Sequence, residues 1–168
     1  MKSSAAAEKM IEFLNGNLRD INHFLKVYTY AKIIGELEKL DVKTQETLEV
    51  AAVIHDIACP LCREKYGDAD GKHQEIESAA LVMPFLQELE CEKEMAERIC
   101  YLVSHHHTYT GVDGLDYQIL LEADFLVNAD ESAMSEESII KMKKRVFKTE
   151  TGIHLLESTF RLSGDKAE

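Results

Sequence analysis

The dipeptide His55-Asp56 closes the run TLEVAAVIHDIA, whose members Leu48, Val50, Ala51, Ala52, Val53, Ile54 and Ile57 are all apolar. An unpaired carboxylate is costly to bury, so an acid here calls for a strong partner, and a divalent cation is one. A neutral imidazole beside a carboxylate is a mixed nitrogen and oxygen donor set suited to iron, manganese or zinc. The dipeptide alone equally describes a core histidine followed by an acid that caps the next segment. The remaining histidines decide between the two. Seven occur, His23, His55, His73, His105, His106, His107 and His154, and six of them precede Asp124, an acid set in a second apolar stretch, ILLEADFLVN. His23 lies near the start of a third, DINHFLKVYTYAKIIGELEKL. Histidines near the apolar faces of several helices, with two acids placed likewise, are the pattern of ligands converging inside a helical bundle.

The order His23, His55-Asp56, Asp124 resembles the H…HD…D signature of HD-domain metal-dependent phosphohydrolases, and the resemblance runs from about His23 to Asn128. It implies an all-α bundle in which His23, His55, Asp56 and Asp124 hold a divalent metal. His55 and Asp56 are then the catalytic pair, and metal-bound hydroxide attacks a phosphate ester or anhydride. In one branch of that superfamily the signature expands to H…HD…H…H…D. His73 and one of His105 and His106 match it, which implies a second ion bridged by Asp56. The alternative is that His73 caps its helix and the HHH run is a polar helix terminus, where imidazolium suits the dipole. His107 and His154 read as surface residues. The ligand set favours Fe, Mn or Co, with Zn, Ni or Mg left open.

Two departures bear on the substrate. Many relatives follow HD with Ile-Gly-Lys, whereas this chain has Ile57-Ala58-Cys59, so phosphate contacts must come from elsewhere; Arg63, Lys65 and Lys72, in the segment before His73, are the candidates. Asp56 is followed by IACPLC rather than the H-D-x-x-E-D pattern of guanosine tetraphosphate hydrolases. Thr108-Tyr109-Thr110-Gly111 stands where cyclic-di-nucleotide phosphodiesterases carry Gly-Tyr-Pro. The expected substrate is a nucleotide or related small phosphate. A di-iron oxygenase and a metal- or ligand-binding module without turnover are the competing readings.

These ligands require long helices, and the composition allows them. The 168 residues suit one domain, with the signature over 20–130 and further helices over 135–161; only Pro60, Pro84 and eight glycines interrupt them. Periodic apolar positions give helices over 4–14, from Asp20 through Leu40, from Thr44 or Thr47 to about Ile57, and over 73–89, 92–106, 115–129, 135–148 and 151–161. CPLCREKYGDADGK reads as the longest loop, with Cys59 and Cys62 as reduced thiols in a turn rather than a zinc or redox pair. A short two-stranded element at YLVSHHHTYT would leave the class unchanged.

Charge narrows the partners. With 31 acids against 19 Lys and Arg the formal net charge is −12, which disfavours nucleic-acid binding. The one basic cluster, KMKKRVFK at 141–148, reads as an amphipathic helix with a solvated cationic face. No run is apolar enough to span a bilayer, and Glu8 and Lys9 break any signal-peptide core, so the expected location is the cytoplasm. The oligomeric state is not readable from the sequence.

Overall fold

The computed structural model describes residues 2–162. Among them are nine helices and no strand: α1 Ser3–Leu14, α2 Leu18–Leu37, α3 Val42–Ile54, α4 Cys59–Tyr66, α5 Gly71–Glu88, α6 Lys93–His105, α7 Leu115–Glu131, α8 Glu136–Val146 and α9 Glu150–Phe160. The all-α bundle expected from periodicity is the architecture observed. No helix among the described residues is long and apolar enough to cross a membrane.

Two helices form the core. In α3 every residue from Thr47 to Ile54 is buried, and α1, α2, α6 and α7 all pack on it. In α7 the buried run extends from Asp116 to Val127, enclosed by α2, α3, α8 and α9. Polar hubs fix the outer helices to this centre. Buried Glu49 on α3 accepts from Ser3 Oγ (2.7 Å), Lys32 Nζ (3.0 Å) and Gln45 Nε2 (3.0 Å), which holds α1 and α2 in place. Arg98 on α6 binds Asp113 and Asp116, tying α6 to the start of α7. The Tyr117 hydroxyl then reaches the carbonyls of His105 and Thr108, at 2.8 and 2.7 Å, and secures the intervening segment.

Several boundaries differ from the sequence reading because capping chemistry outweighs apolar spacing. Asn17, not Asp20, caps α2, accepting from the Asp20 amide at 3.2 Å. The same helix stops at Leu37, since Lys39 takes φ 60. Asp41 starts α3 ahead of Thr44 by accepting from the amides of Lys43 and Thr44. The larger correction is at CPLCREKY, which is helix α4 and not a loop. Pro60 sits in its first turn, where its missing N–H costs nothing, and Gly67 ends it at φ 81. Cys59 and Cys62 are both buried on α4 and free.

Candidate metal centre

Four elements deliver side chains to one point. His23 comes from α2, His55-Asp56 from the turn between α3 and α4, His106 from the end of α6, and Asp124 from α7. His23 Nε2 lies 3.2 Å from His55 Nε2, 3.3 Å from Asp56 Oδ2 and 3.4 Å from Asp124 Oδ1. His55 Nε2 is 3.5 Å from Asp56 Oδ2 and 3.4 Å from Asp124 Oδ1, and His106 Nε2 is 3.5 Å from Asp56 Oδ1.

The outer nitrogens of these rings settle their tautomers. His55 caps the C-terminus of α3 and His106 that of α6; each returns its Nδ1 to the carbonyl three residues back, Ala52 at 2.8 Å and Val103 at 2.7 Å. A carbonyl only accepts, so Nδ1 carries the hydrogen and Nε2 presents a lone pair. His23 Nδ1 faces Glu131 Oε2 at 2.8 Å with the same result. When the rings are neutral, three imidazole lone pairs and two carboxylates therefore converge. Among the described residues, Asn128 Nδ2 donates to Asp124 Oδ1 at 2.8 Å and the Cys59 thiol faces Asp56. His106 Nε2 and His107 Nε2 are buried without a hydrogen-bond partner.

Such a set fits a cation. Ligand atoms around one ion at bonds of about 2.1 Å are separated by about 3.0 to 3.4 Å, close to the spacings here. In the metal-free fold protons take the cation's place. Burial opposes charging His23, but Asp124, Asp56 and Glu131 outweigh it and raise its pKa to about 9. Burial likewise opposes ionising Asp56 and Asp124, yet the surrounding imidazoles hold both well below the usual carboxylate range. Burial, with the charge of His106 beside it, pushes His107 down to about 4. Two groups of donors lie close enough to grip an ion, His23, His55 and Asp56 in one and Asp56, His106 and His107 in the other, so Asp56 is common to both.

The remaining sequence candidates are placed as follows. His105 is turned away, its Nδ1 on the carbonyl of Tyr101 and its ring stacked on Tyr101 at 4.3 Å; of the two neighbours it is His106 that faces inward. His73 stands apart from the cluster, bonded to Asp68 at 2.8 Å and stacked on Tyr66. Arg63 lines the cavity beside the centre, paired with Asp20, whereas Lys65 is drawn to Glu77 and Lys72 lies exposed outside the lining. That cavity, about 430 Å³, is also lined by Arg19, Gln74, His107 and Asn128. His107 is thus no surface residue. Gly71, at the start of α5, leaves room for its ring: a Cβ there would come within 2.7 Å of it. Asn128, Glu131 and Arg19 escaped the sequence reading, though spacing marks them. Asp124, Asn128 and Glu131 follow one face of α7 at i, i+4 and i+7, and Arg19 precedes His23 by one turn.

The HD domain family model matches residues 20–142. No curated protein sequence matches the chain significantly. Among solved structures, a crystal structure of a predicted HD superfamily hydrolase from an uncultured Thermotogales bacterium superposes with TM-score 0.68 at 21% identity, covering 94% of this chain and 84% of that one. At this identity the likeness speaks for the fold.

Proposed function

The chain belongs to the HD-domain family, and on that premise we propose that it is a metal-dependent phosphohydrolase of a nucleotide or related small phosphate, acting in the cytoplasm. One observation carries the proposal: three imidazole Nε2 atoms and two carboxylates, those of His23, His55, His106, Asp56 and Asp124, converge beside a cavity that two arginines line.

His23, His55, Asp56 and Asp124 would hold the first ion. A second would fall to Asp56, His106 and His107, with His73 bonded to Asp68 of the cavity wall. The nitrogen and oxygen donors favour iron, manganese or cobalt. A divalent ion supplies a Lewis acid for the phosphoryl oxygen and acidifies a water at neutral pH. The chain's own groups do the rest. Glu131, Ala52 O and Val103 O hold the imidazoles in the ligating tautomer. Arg63 is held at the cavity wall by Asp20, and Arg19, which has no ion pair among the described residues, is free to take a phosphate oxygen. The low pKa of His107 keeps it neutral, and so a competent donor, at physiological pH.

Anaerobic purification, metal analysis and a screen of nucleotide phosphates test the reading. Phosphate release without oxygen is the expected result. Oxygen-dependent turnover would transfer the site to an oxygenase, and tight ligand binding without turnover to a binding module. His106→Ala should lower the metal-to-protein ratio from near two toward one, and an unchanged ratio in His73→Ala removes His73 from the ligands. With net charge −12, binding to random duplex DNA at physiological salt should be weaker than roughly micromolar.

A further inference from the structure

A second cleft, about 420 Å³, opens between the N-terminal half of α7, the end of α8 and the segment joining α6 to α7. Tyr109, Gln118, Leu121, Arg145 and Lys148 are among its walls, and it shares no lining residue with the metal cavity. The two differ in charge. Asp20, Asp56, Asp68 and Glu131 line the metal cavity, while no acid lines this cleft. Among the described residues neither Arg145 nor Lys148 has a carboxylate partner, although Lys143, on α8 with Arg145, is bound to Glu157 at 2.5 Å. Unpaired cations three residues apart, Arg145 at the end of α8 and Lys148 just beyond it, beside an acid-free cleft are a marked local departure in a chain with 31 acids against 19 Lys and Arg. The Arg145 guanidinium lies over the ring of half-buried Tyr109, 5.4 Å from its centre, so a cation and an aromatic surface are already set together.

We propose that this cleft binds an organic phosphate bearing a planar ring, of nucleoside monophosphate size, with the phosphate on Arg145 and Lys148 and the ring against Tyr109. A phosphomonoester carries close to two negative charges at neutral pH and matches two cations. Arginine adds planar bidentate geometry toward phosphate oxygens, and an aromatic side chain offers any base a stacking face. The volume lies within the range of small-ligand pockets, roughly 300 to 1,000 Å³. The basic stretch 141–148, read from sequence as a solvated helix face, thereby gains a ligand at its C-terminal end. The inference is independent of the reaction proposed for the metal centre.

The test is equilibrium binding of the phosphonate analogue of AMP, in which a methylene replaces the ester oxygen and prevents turnover, to the metal-loaded protein. Adenosine and inorganic phosphate serve as separate probes. The analogue should bind saturably at a site outside the metal cavity, distinct from any binding at the metal centre, and more tightly there than either fragment. Arg145→Gln with Lys148→Gln, both exposed positions, should weaken it by about ten-fold or more, and Tyr109→Ala by several-fold; Asp56→Asn should leave it within about two-fold. The proposal fails if the analogue shows no saturable binding, if the double variant binds as well as the wild type, or if adenosine alone binds as tightly. It fails also if Asp56→Asn abolishes binding while the double variant retains it, since the ligand would then occupy the metal cavity.

Discussion

Glu122 and Asp124 stand two residues apart on α7, both buried and both acidic, yet they face opposite worlds. Two positions are about 200° apart around a helix, so Glu122 looks toward α9 and Asp124 toward the histidines. Glu122 is surrounded by donors: Gln118 Nε2 and the Lys148 amide at 2.7 Å, the Thr149 amide at 3.0 Å and the Thr149 hydroxyl at 2.5 Å. It serves as a second cap for α9, and Gly152 gives it room, because a Cβ there would lie 2.0 Å from its Oε2. Asp124 has one amide donor, Asn128, and otherwise meets the Nε2 atoms of His23 and His55, which reach it through a proton in the metal-free fold. A buried acid whose hydrogen bonds are complete holds the fold together. One that faces imidazole nitrogens can exchange their protons for a cation.

The sharpest way to break this contrast is to remove the charges on the open side. Asp56→Ala should lose most bound metal and lower activity by orders of magnitude, and Asp124→Asn should do so for the first ion, each with helical circular dichroism retained. Full metal occupancy in a well-folded Asp56→Ala protein would end its assignment. On the closed side, Glu122→Ala should cost about 3 kcal/mol in denaturant unfolding, because it strands buried amide donors. Its metal-to-protein ratio should stay that of the wild type; a folded Glu122→Ala protein short of metal would merge the two sites. Glu131→Ala should be milder, weakening metal affinity about 10- to 100-fold through the lost anchor on His23 Nδ1.

A separate effect is in pH. His23, raised to about 9 in the metal-free fold from 6.5, contributes stability that is complete below pH 6.5 and vanishes as pH climbs through about 9. Asp56 and Asp124, depressed below 3.8, contribute above that value and lose it as acid protonates them. Metal-free protein should therefore unfold more easily at pH 9.5 than at pH 6.5. Metal-loaded protein should show little of this slope, since the ion replaces the His23 proton. Equal slopes in the two forms would contradict the proton-for-metal picture.

Sequence and structure part company over the same two acids. In LLEADFLVN nothing local separates Glu122 from Asp124; the family spacing singled out Asp124, and Glu122 passed unremarked. The periodicity of α2, α3 and α7 was legible because their apolar faces are broad. Helix α4 was not, since Gly and Asp after Tyr66 resemble loop, and a proline in a first turn looks like a break until the cap is seen. The choice between His105 and His106 was likewise beyond the sequence: each follows an apolar residue by three, and only the end of α6 decides which ring turns inward.

That end has a consequence for motion. His55 and His106 close α3 and α6 by bonding carbonyls that a helix terminus leaves without an amide, and the same bonds aim their other nitrogens at the centre. Fraying of either last turn would swing a ligand out, and an ion gripping both rings would hold both turns shut. Occupancy of the centre should thus be recorded in the exchange of backbone amide hydrogens at residues 52–55 and 103–106, which would slow together when metal binds.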